Sequence, residues 1–313
     1  AAKLLLKNLS DTCGQLLELG EYGQVLSLLR QAADPRLPQK LRIALRDTFC
    51  QREFLDEILS GLSIWGKPKY DQVALLIQVL GRVFIEPLLD RMAEEDNMSL
   101  RRFMMDRVQG FGEAARPNLL ARLMDSRWYV LRNILVMLRN LGPLKDFNQI
   151  RPLLKHANPK DRAEALKLLV QSGDLIAQRQ IMRDMDSPDR EIQLLAVSIA
   201  DQNSTPEMAS KLLDIVTSGG FSAVESELKT AAVQALAEIG RPELLPELFK
   251  LLNSRSLLAF KALNRLKVDI LRSFDRYPPQ SVLAILEQYE SGHAALARQA
   301  SETLKIVRSR IRG

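Results

Sequence analysis

The sequence predicts an all-α protein made of stacked helical repeats, and three observations support this class. Leucine-rich helical runs end at Gly81, Gly112, Gly142 and Gly173, at intervals of 31, 30 and 31 residues. A fixed period of that size is typical of repeat proteins. The composition, 46% hydrophobic but only 5% aromatic, suits helices that contact near neighbours. Helix start signals also recur before the runs, as described below.

The period extends over nearly the whole chain. A polar stop at Gln202–Asn203 follows Gly173 at about the same interval, and Gly240 comes after a longer one. We therefore expect one continuous α-solenoid domain over residues 1–313, with about nine helical hairpins. Residues 1–66 are predicted to form irregular repeats, residues 67–292 regular repeats, and residues 293–313 a capping helix that begins at His293.

The clearest copy lies in the middle of the chain. Arg116–Met124 is its first predicted helix, Asp125–Ser126 caps the second, and Arg127–Leu141 runs on to Gly142. Helical spacing predicts two faces on the second helix. The buried stripe comprises Trp128, Leu131, Ile134, Leu135, Leu138 and Leu141. The opposite face comprises Tyr129, Arg132, Asn133 and Arg139.

Later copies begin with related signals. Asn158–Asp161 opens the helix that ends at Gly173, and Ser187–Asp189 opens the helix that runs to Asp201. A polar side chain followed by proline in the first turn is a helix start signal. The side-chain oxygen accepts a hydrogen bond from a backbone N–H that has no partner in the helix, and proline has no N–H that would be left unpaired. Further helices are predicted at Arg255–Arg276 and His293–Arg310.

Two stretches, Asp125–Gly142 and Val233–Leu252, resemble the generic bacterial consensus of the HEAT-repeat family. The resemblance implies that the second helix of each pair lines a concave face. It places there the helices that begin near Met98, Arg127, Lys160, Asp189, Glu225 and Lys261. The arginine that the family usually carries early in this helix varies here, since Leu131 occupies it in one copy and Lys229 in another.

Residue patterns for catalysis and metal binding are missing. His156 and His293 are far apart and have no metal-ligand spacing, and no phosphate loop or nucleophile motif occurs. The acidic run at Asp184–Asp189 lacks the glycine and the distal glutamate of a calcium loop. We therefore expect no enzyme activity, no catalytic residue, no cofactor and no metal.

Charge distribution is the clearest functional signal. Residues 101–170 hold 14 Lys plus Arg against 6 Asp plus Glu, whereas residues 171–240 hold 5 against 11. A positive band on the concave helices could receive an acidic protein or peptide. Arg132 and Arg139 lie two helical turns apart, and Tyr129 lies one turn before Arg132. The predicted partner-binding residues are Arg102, Tyr129, Arg132, Arg139 and Lys167.

Other functions remain open. Solvation alone explains many surface charges. A nucleic-acid-binding module similar to the DNA glycosylases with HEAT-like repeats would use the same band along the phosphate backbone. That band comprises Arg101, Arg102, Arg107, Arg132, Arg139, Lys160 and Lys167. A bilin lyase is a third alternative, because such enzymes also use HEAT-like repeats. Trp128 is read as core filler rather than as a stacking platform for bases.

Composition also bears on location. No apolar run approaches the roughly eighteen residues that cross a bilayer, so we expect a soluble protein with no membrane contact. Cys13 and Cys50 are too few for a disulfide scaffold, which favours the reducing cytoplasm. The chain starts without methionine, as a segment of a longer protein would.

Overall fold

The structure, a computed structural model, describes residues 2–200, 204–256, 259–291 and 294–312 and is all-helical over these ranges. The helices follow one another as hairpins, which is the predicted α-solenoid class. The polar stop at Gln202–Asn203 and the start of the last helix at His293 lie outside the described residues. The chain divides into two compact units: unit 1 holds residues 1–142 and 148–165, and unit 2 holds residues 143–147 and 166–313. The single continuous domain stays a prediction.

Unit 1 starts with helices that do not follow the regular pairing. Helix α1 contacts α2, α3 and α4, and α2 packs against α5. Regular pairing begins with α6 on α7 and continues with α8 on α9, while α5, α7 and α9 contact one another in series. The helices are α1 (Ala2–Glu18), α2 (Tyr22–Ala32), α3 (Gln39–Phe49), α4 (Arg52–Trp65), α5 (Tyr70–Leu80), α6 (Ile85–Glu94), α7 (Met98–Gln109), α8 (Arg116–Ala121), α9 (Trp128–Asn140) and α10 (Pro159–Gln171), whose residues after Ala165 belong to unit 2.

Unit 2 is regular throughout. Helix α11 packs on α12, α13 on α14, α15 on α16 and α17 on α18, and the second helices α12, α14, α16 and α18 contact one another in order. The helices are α11 (Leu175–Asp184), α12 (Arg190–Ile199), α13 (Pro206–Thr217), α14 (Ala223–Ile239), α15 (Leu245–Asn253), α16 (Phe260–Ser273), α17 (Pro279–Tyr289) and α18 (Ala294–Arg312).

The glycines that define the repeat period lie where the backbone needs them. Gly81, Gly112, Gly142, Gly173 and Gly240 all have positive φ, between 57° and 99°. Residues with a Cβ rarely adopt this conformation, so glycine ends these helices at low cost. The period read from the sequence therefore reports a real backbone feature of each helix end.

Most of the stripe predicted on α9 is buried. Leu131, Ile134, Leu135 and Leu138 are at most 1% exposed. Trp128 was wrongly assigned to this stripe, since 42% of its surface is exposed. Trp128 is the first residue of α9, and the chain before it leaves the helix, so no preceding turn covers the indole.

Two further predictions for α9, one face residue and the helix cap, were wrong. Asn133 was assigned to the outer face, yet it is only 9% exposed. Asp125 does not cap α9. Its carboxylate instead accepts from the backbone N–H of Arg127 at 2.9 Å and pairs with the Arg127 guanidinium at 2.7 Å, and Arg127 precedes the helix.

One polar side chain early in most second helices bonds to the end of the preceding helix. Each donates to the carbonyl of the residue that directly follows that helix or, for Arg162, the 3-10 turn at Arg151–Lys155. Such a carbonyl has no partner inside its own helix. We call this set the capping ladder. It comprises Arg101 to Glu95, Arg162 to His156, Gln193 to Met185, Lys229 to Ser218 and Lys267 to Ser254.

Helix α9 has no contact of the capping ladder. Leu131 takes the equivalent place and is buried, so it offers no donor. Two other residues near the start of α9 bond to α6 instead. The hydroxyl of Tyr129 and the guanidinium of Arg127, the residue before α9, both donate to the Ala93 carbonyl, at 3.2 and 3.3 Å. The copy with the clearest sequence pattern thus lacks the ladder contact.

One stretch of the described chain, Lys67–Glu94, has the length and apolar composition of a membrane-crossing helix, which the sequence pattern did not predict. Gly81, with a φ of 79°, breaks this stretch between α5 and a 3-10 turn at Gly81–Phe84. Several of its apolar side chains, such as Leu76, Phe84 and Leu88, are fully buried within unit 1.

Candidate functional site

Helices α7 and α9 place two arginines at equivalent positions on unit 1. Arg102 and Arg132 are each the fifth residue of their helix, 30 residues apart, and the two helices pack against each other. The preceding residues, Arg101 and Leu131, take the capping-ladder position and turn inward. A residue one step further round the helix therefore points outward, and both Arg102 and Arg132 are exposed.

These two arginines differ in their surroundings. Arg102 forms no ion pair with any described residue. Arg132 lies close enough to Asp161 of α10 to act on its carboxylate. Burial raises the pKa of Asp161, and the charges of His156 and Arg132 partly oppose that rise. Arg132 therefore shares its charge with a buried acid, while the charge of Arg102 is open to solvent.

The imidazole of His156 also faces this buried acid. His156 Nδ1 lies 3.2 Å from Asp161 Oδ2 and 3.2 Å from the backbone N–H of Asn158. With Nδ1 unprotonated, the ring accepts from Asn158; with Nδ1 protonated, it donates to Asp161. His156 is half-buried and, like Arg132, acts on the Asp161 carboxylate.

Arg139 and Tyr129 are already occupied by contacts within unit 1. Arg139 Nε lies 3.5 Å from Oε2 of Glu164, a carboxylate that is only 7% exposed. The Tyr129 hydroxyl bonds to Ala93, and the Arg101 guanidinium lies 5.7 Å above its ring. Both side chains are half-buried. They are better placed to support a surface than to form its most accessible part.

Trp128 and Lys160 add an exposed aromatic and a cation that the predicted site did not include. Lys160 Nζ lies 5.0 Å from the centre of the Trp128 ring, within the range of a cation–π contact. The Trp128 and Tyr129 rings meet edge to face at 6.2 Å. The sequence signal for Trp128 was its place in the first turn of the predicted helix, where a stripe assignment is weakest.

Lys167 belongs to the part of α10 that lies in unit 2. Its side chain is half-buried. The structure thus brings Arg102, Tyr129, Arg132 and Arg139 onto the adjoining helices α7 and α9 of one unit. It does not describe where Lys167 lies relative to them.

Sequence reasoning missed a groove in unit 2. Helices α12, α14 and α16 line a groove of about 640 Å³, with Lys261 and Arg265 on one wall and Glu227 on another. Glu227 is held by Arg190 at 3.4 Å. Residues 241–313 hold 13 Lys plus Arg against 7 Asp plus Glu, and this excess was the sequence signal that could have located the two cations. Across the described ranges, no group of three or more His, Cys, Asp or Glu residues could hold a metal ion.

Comparisons with known proteins identify a fold and no family. No protein-family model matches the chain, and no curated protein matches it. Human deoxyhypusine hydroxylase in complex with glycerol is similar at 14% identity and a TM-score of 0.31, over 83% of this chain and 99% of that chain. The complex of CpcE and CpcF of phycocyanin lyase from Nostoc sp. PCC7120 is similar at 17% identity and a TM-score of 0.39, over 82% of this chain and 94% of that chain. An engineered protein is similar at 14% identity and a TM-score of 0.36, over 95% of this chain and 89% of that chain.

These similarities concern the helical fold alone, but they correct one prediction. The sequence was read as that of a protein with no enzyme activity. Two of the three similar structures are named for a hydroxylase and a lyase. The exclusion of catalysis was therefore wrong, because a helical fold of this kind gives no ground for it.

Proposed function

We propose that this chain is a HEAT-type repeat protein of the cytoplasm that binds an acidic protein or peptide. The surface that carries the proposal consists of Arg102 and Arg132, and we call it the arginine pair. Tyr129 and Arg139, both on α9, support it. The cytoplasmic location rests on Cys13 and Cys50, which are both free thiols.

One observation supports this function above others: two exposed arginines recur at the same position of packed neighbouring helices. A guanidinium presents a planar fork of donors that fits a carboxylate. Because Arg102 has no ion-pair partner among the described residues, an incoming carboxylate would not compete with one inside unit 1. An acidic segment that crosses α7 and α9 could contact both arginines. Lys167 stays a predicted addition to this surface.

A second candidate is binding of single-stranded nucleic acid. The observation that favours it is the exposed indole of Trp128 beside Lys160, because bases stack on exposed aromatic side chains near cations. Lys160 already covers one side of the ring, which leaves one stacking face.

The arginine pair is tested by charge reversal. We expect Arg102→Glu with Arg132→Glu to weaken binding of a glutamate-rich fluorescent peptide about tenfold or more, measured by anisotropy at low salt. Because a carboxylate at position 132 would face Asp161, a second variant, Arg102→Gln with Arg132→Gln, removes the cations without adding like charge. A matched control, Arg30→Glu with Arg82→Glu, makes the same charge change at other exposed positions of unit 1. Equal affinity in all three variants would contradict the proposal.

A further inference from the structure

A second groove lies at the N-terminal end of unit 1, away from the residues of the arginine pair. It has a volume of about 440 Å³ and is formed by α2, α3 and α5. Its walls are mostly apolar, and they include Leu29, Ile43, Phe49 and Val79. We call it the α3 groove. Its volume is within the range of known ligand sites.

Two apolar side chains at this groove remain open to solvent. Ile43 is 52% exposed and Val79 is 41% exposed. One turn before Val79 on the same helix, Leu75 is 40% exposed and extends this apolar surface along α5. Large apolar side chains that cluster at the surface mark contact sites more often than isolated ones do.

The charged side chains that line the α3 groove are arginines. Arg42 and Arg46 lie four residues apart on α3, and no carboxylate of the described chain lines the groove. Neither arginine forms a salt bridge with the residues that the structure describes. Arg42 attracts the Asp34 carboxylate only weakly compared with Arg36, which bonds Asp34 directly and is the main cause of its lowered pKa. The groove therefore combines apolar walls with two cations that lack a close counter-charge within those residues.

The spacing of these residues matches the spacing within an α-helix. Arg42 and Arg46 on one wall lie four residues apart, about 6 Å along the helix axis. Val79 lies on the other wall, and Leu75, four residues before it on α5, lies outside the groove lining. Side chains four residues apart on a bound helix have the same separation. A helix in the groove could place carboxylates along one wall and apolar side chains along the other.

We propose that the α3 groove binds an acidic amphipathic helix of another protein. Apolar side chains of that helix would cover Ile43 and Val79, as in other helix-in-groove complexes. Its carboxylates would pair with Arg42 and Arg46, and burial of the apolar surface beside them would strengthen these pairs. This site shares no residue with the arginine pair, and the proposal does not depend on it.

The groove contains its own reporter. Cys50 lines the groove and is half-buried, whereas Cys13 is buried and burial raises its pKa to about 11. Because the thiolate is the reactive form, an alkylating reagent near pH 8 should modify Cys50 much faster than Cys13. Protection of Cys50 then reports occupancy of the α3 groove.

The experiment uses two synthetic helical peptides that share leucines at every third or fourth position. One carries glutamates on its polar face and the other carries lysines. We expect the glutamate peptide to slow alkylation of Cys50 by about tenfold at saturation, and the lysine peptide to have no effect. Equal protection by both peptides, or protection by neither, would overturn the proposal.

Variants test whether the α3 groove itself binds the peptide. Arg42→Glu with Arg46→Glu should abolish protection, while Arg30→Glu with Lys40→Glu, the same charge change on α2 and α3 outside the lining, should retain it. Should the first variant melt early, Ile43→Gln at the exposed rim serves instead and should weaken binding several-fold. The Arg102→Glu, Arg132→Glu variant should bind as wild type, so a failure here is distinct from a failure of the arginine pair. Protection of Cys50 by rising protein concentration alone would assign the groove to a second copy and overturn the proposal.

Discussion

Units 1 and 2 fix the ends of their first helices with different cations. In unit 1 the capping ladder uses Arg101 and Arg162, whose side chains are half-buried. In unit 2 it uses the neutral Gln193 and two lysines, Lys229 and Lys267, which are 1% and 7% exposed. The same carbonyl position accepts the bond in every case. The hydrogen bond to the helix end is the same in both units, whereas the type of the donor residue and the burial of its side chain differ.

The physical cost of the two solutions differs. Guanidinium is weakly hydrated and stays charged, so a half-buried arginine can donate without losing its proton. Ammonium is strongly hydrated, and burial is the main reason that the pKa values of Lys229 and Lys267 are lowered. The charges of Lys229 and Lys267 are therefore buried and depend on their hydrogen bonds. The charges of Arg101 and Arg162 are only half-buried.

The α9 copy, which has no ladder contact, should depend most on packing. Leu131 is 1% exposed. Its replacement by alanine leaves a cavity, so we expect Leu131→Ala to lower the free energy of unfolding by about 2–5 kcal/mol in urea denaturation. Met124→Ala, at a side chain 91% exposed, is the control and should have almost no effect. A loss as small as that of the control would mean that this copy is held by other contacts.

Removal of a buried ladder cation should have the next largest effect. Lys229→Met keeps an apolar chain of similar length but leaves the Val216 and Ser218 carbonyls without this donor. We expect a loss of about 1–3 kcal/mol in the same denaturation experiment. Lys261→Met, on the exposed surface of α16, should change stability by about 0.5 kcal/mol or less. Equal effects of the two substitutions would show that the Lys229 contact adds nothing.

The smallest effect concerns pH and separates the two units. Because the folded-state pKa of Lys229 is lowered, the unfolded chain holds this proton more firmly. The free energy of unfolding should then rise with pH between the folded and the ordinary lysine pKa. The difference between wild type and Lys229→Met should grow as the pH rises toward the ordinary lysine pKa. For Arg101→Met it should stay constant, since arginine does not titrate there. A constant difference in both variants would contradict the comparison.

The sequence predicted the repeat fold because its markers have direct physical causes. Gly142 and Gly173 need positive φ, and Leu135 and Leu138 need burial, so each leaves a local pattern. The capping ladder was not predictable as a regular feature. Its members are the fourth residue in α7, α10 and α12 but the seventh in α14 and the eighth in α16, so they recur at no fixed distance from the helix start.

The candidate site was predicted less well, because exposure depends on contacts across the fold. Helical spacing correctly placed Arg132 on the outer face, but it could not reveal that Arg139 pairs with Glu164 or that Tyr129 bonds to Ala93. Those partners come from other helices, 25 and 36 residues away in sequence. The α3 groove lies among the irregular N-terminal helices, where no repeat pattern could indicate which faces meet.

The most direct test of the proposed function is a salt titration of the wild-type protein with two ligands, the glutamate-rich peptide and a short DNA single strand. Salt weakens the binding of both ligands by screening their charges. The test is therefore the comparison of the two affinities at the same salt concentration. We expect the peptide to bind more tightly than the DNA from about 0.05 to 0.3 M salt, with the affinity for the peptide falling as the salt concentration rises. Tighter binding of the DNA over this range would contradict an acidic protein partner and favour the nucleic-acid alternative at Trp128.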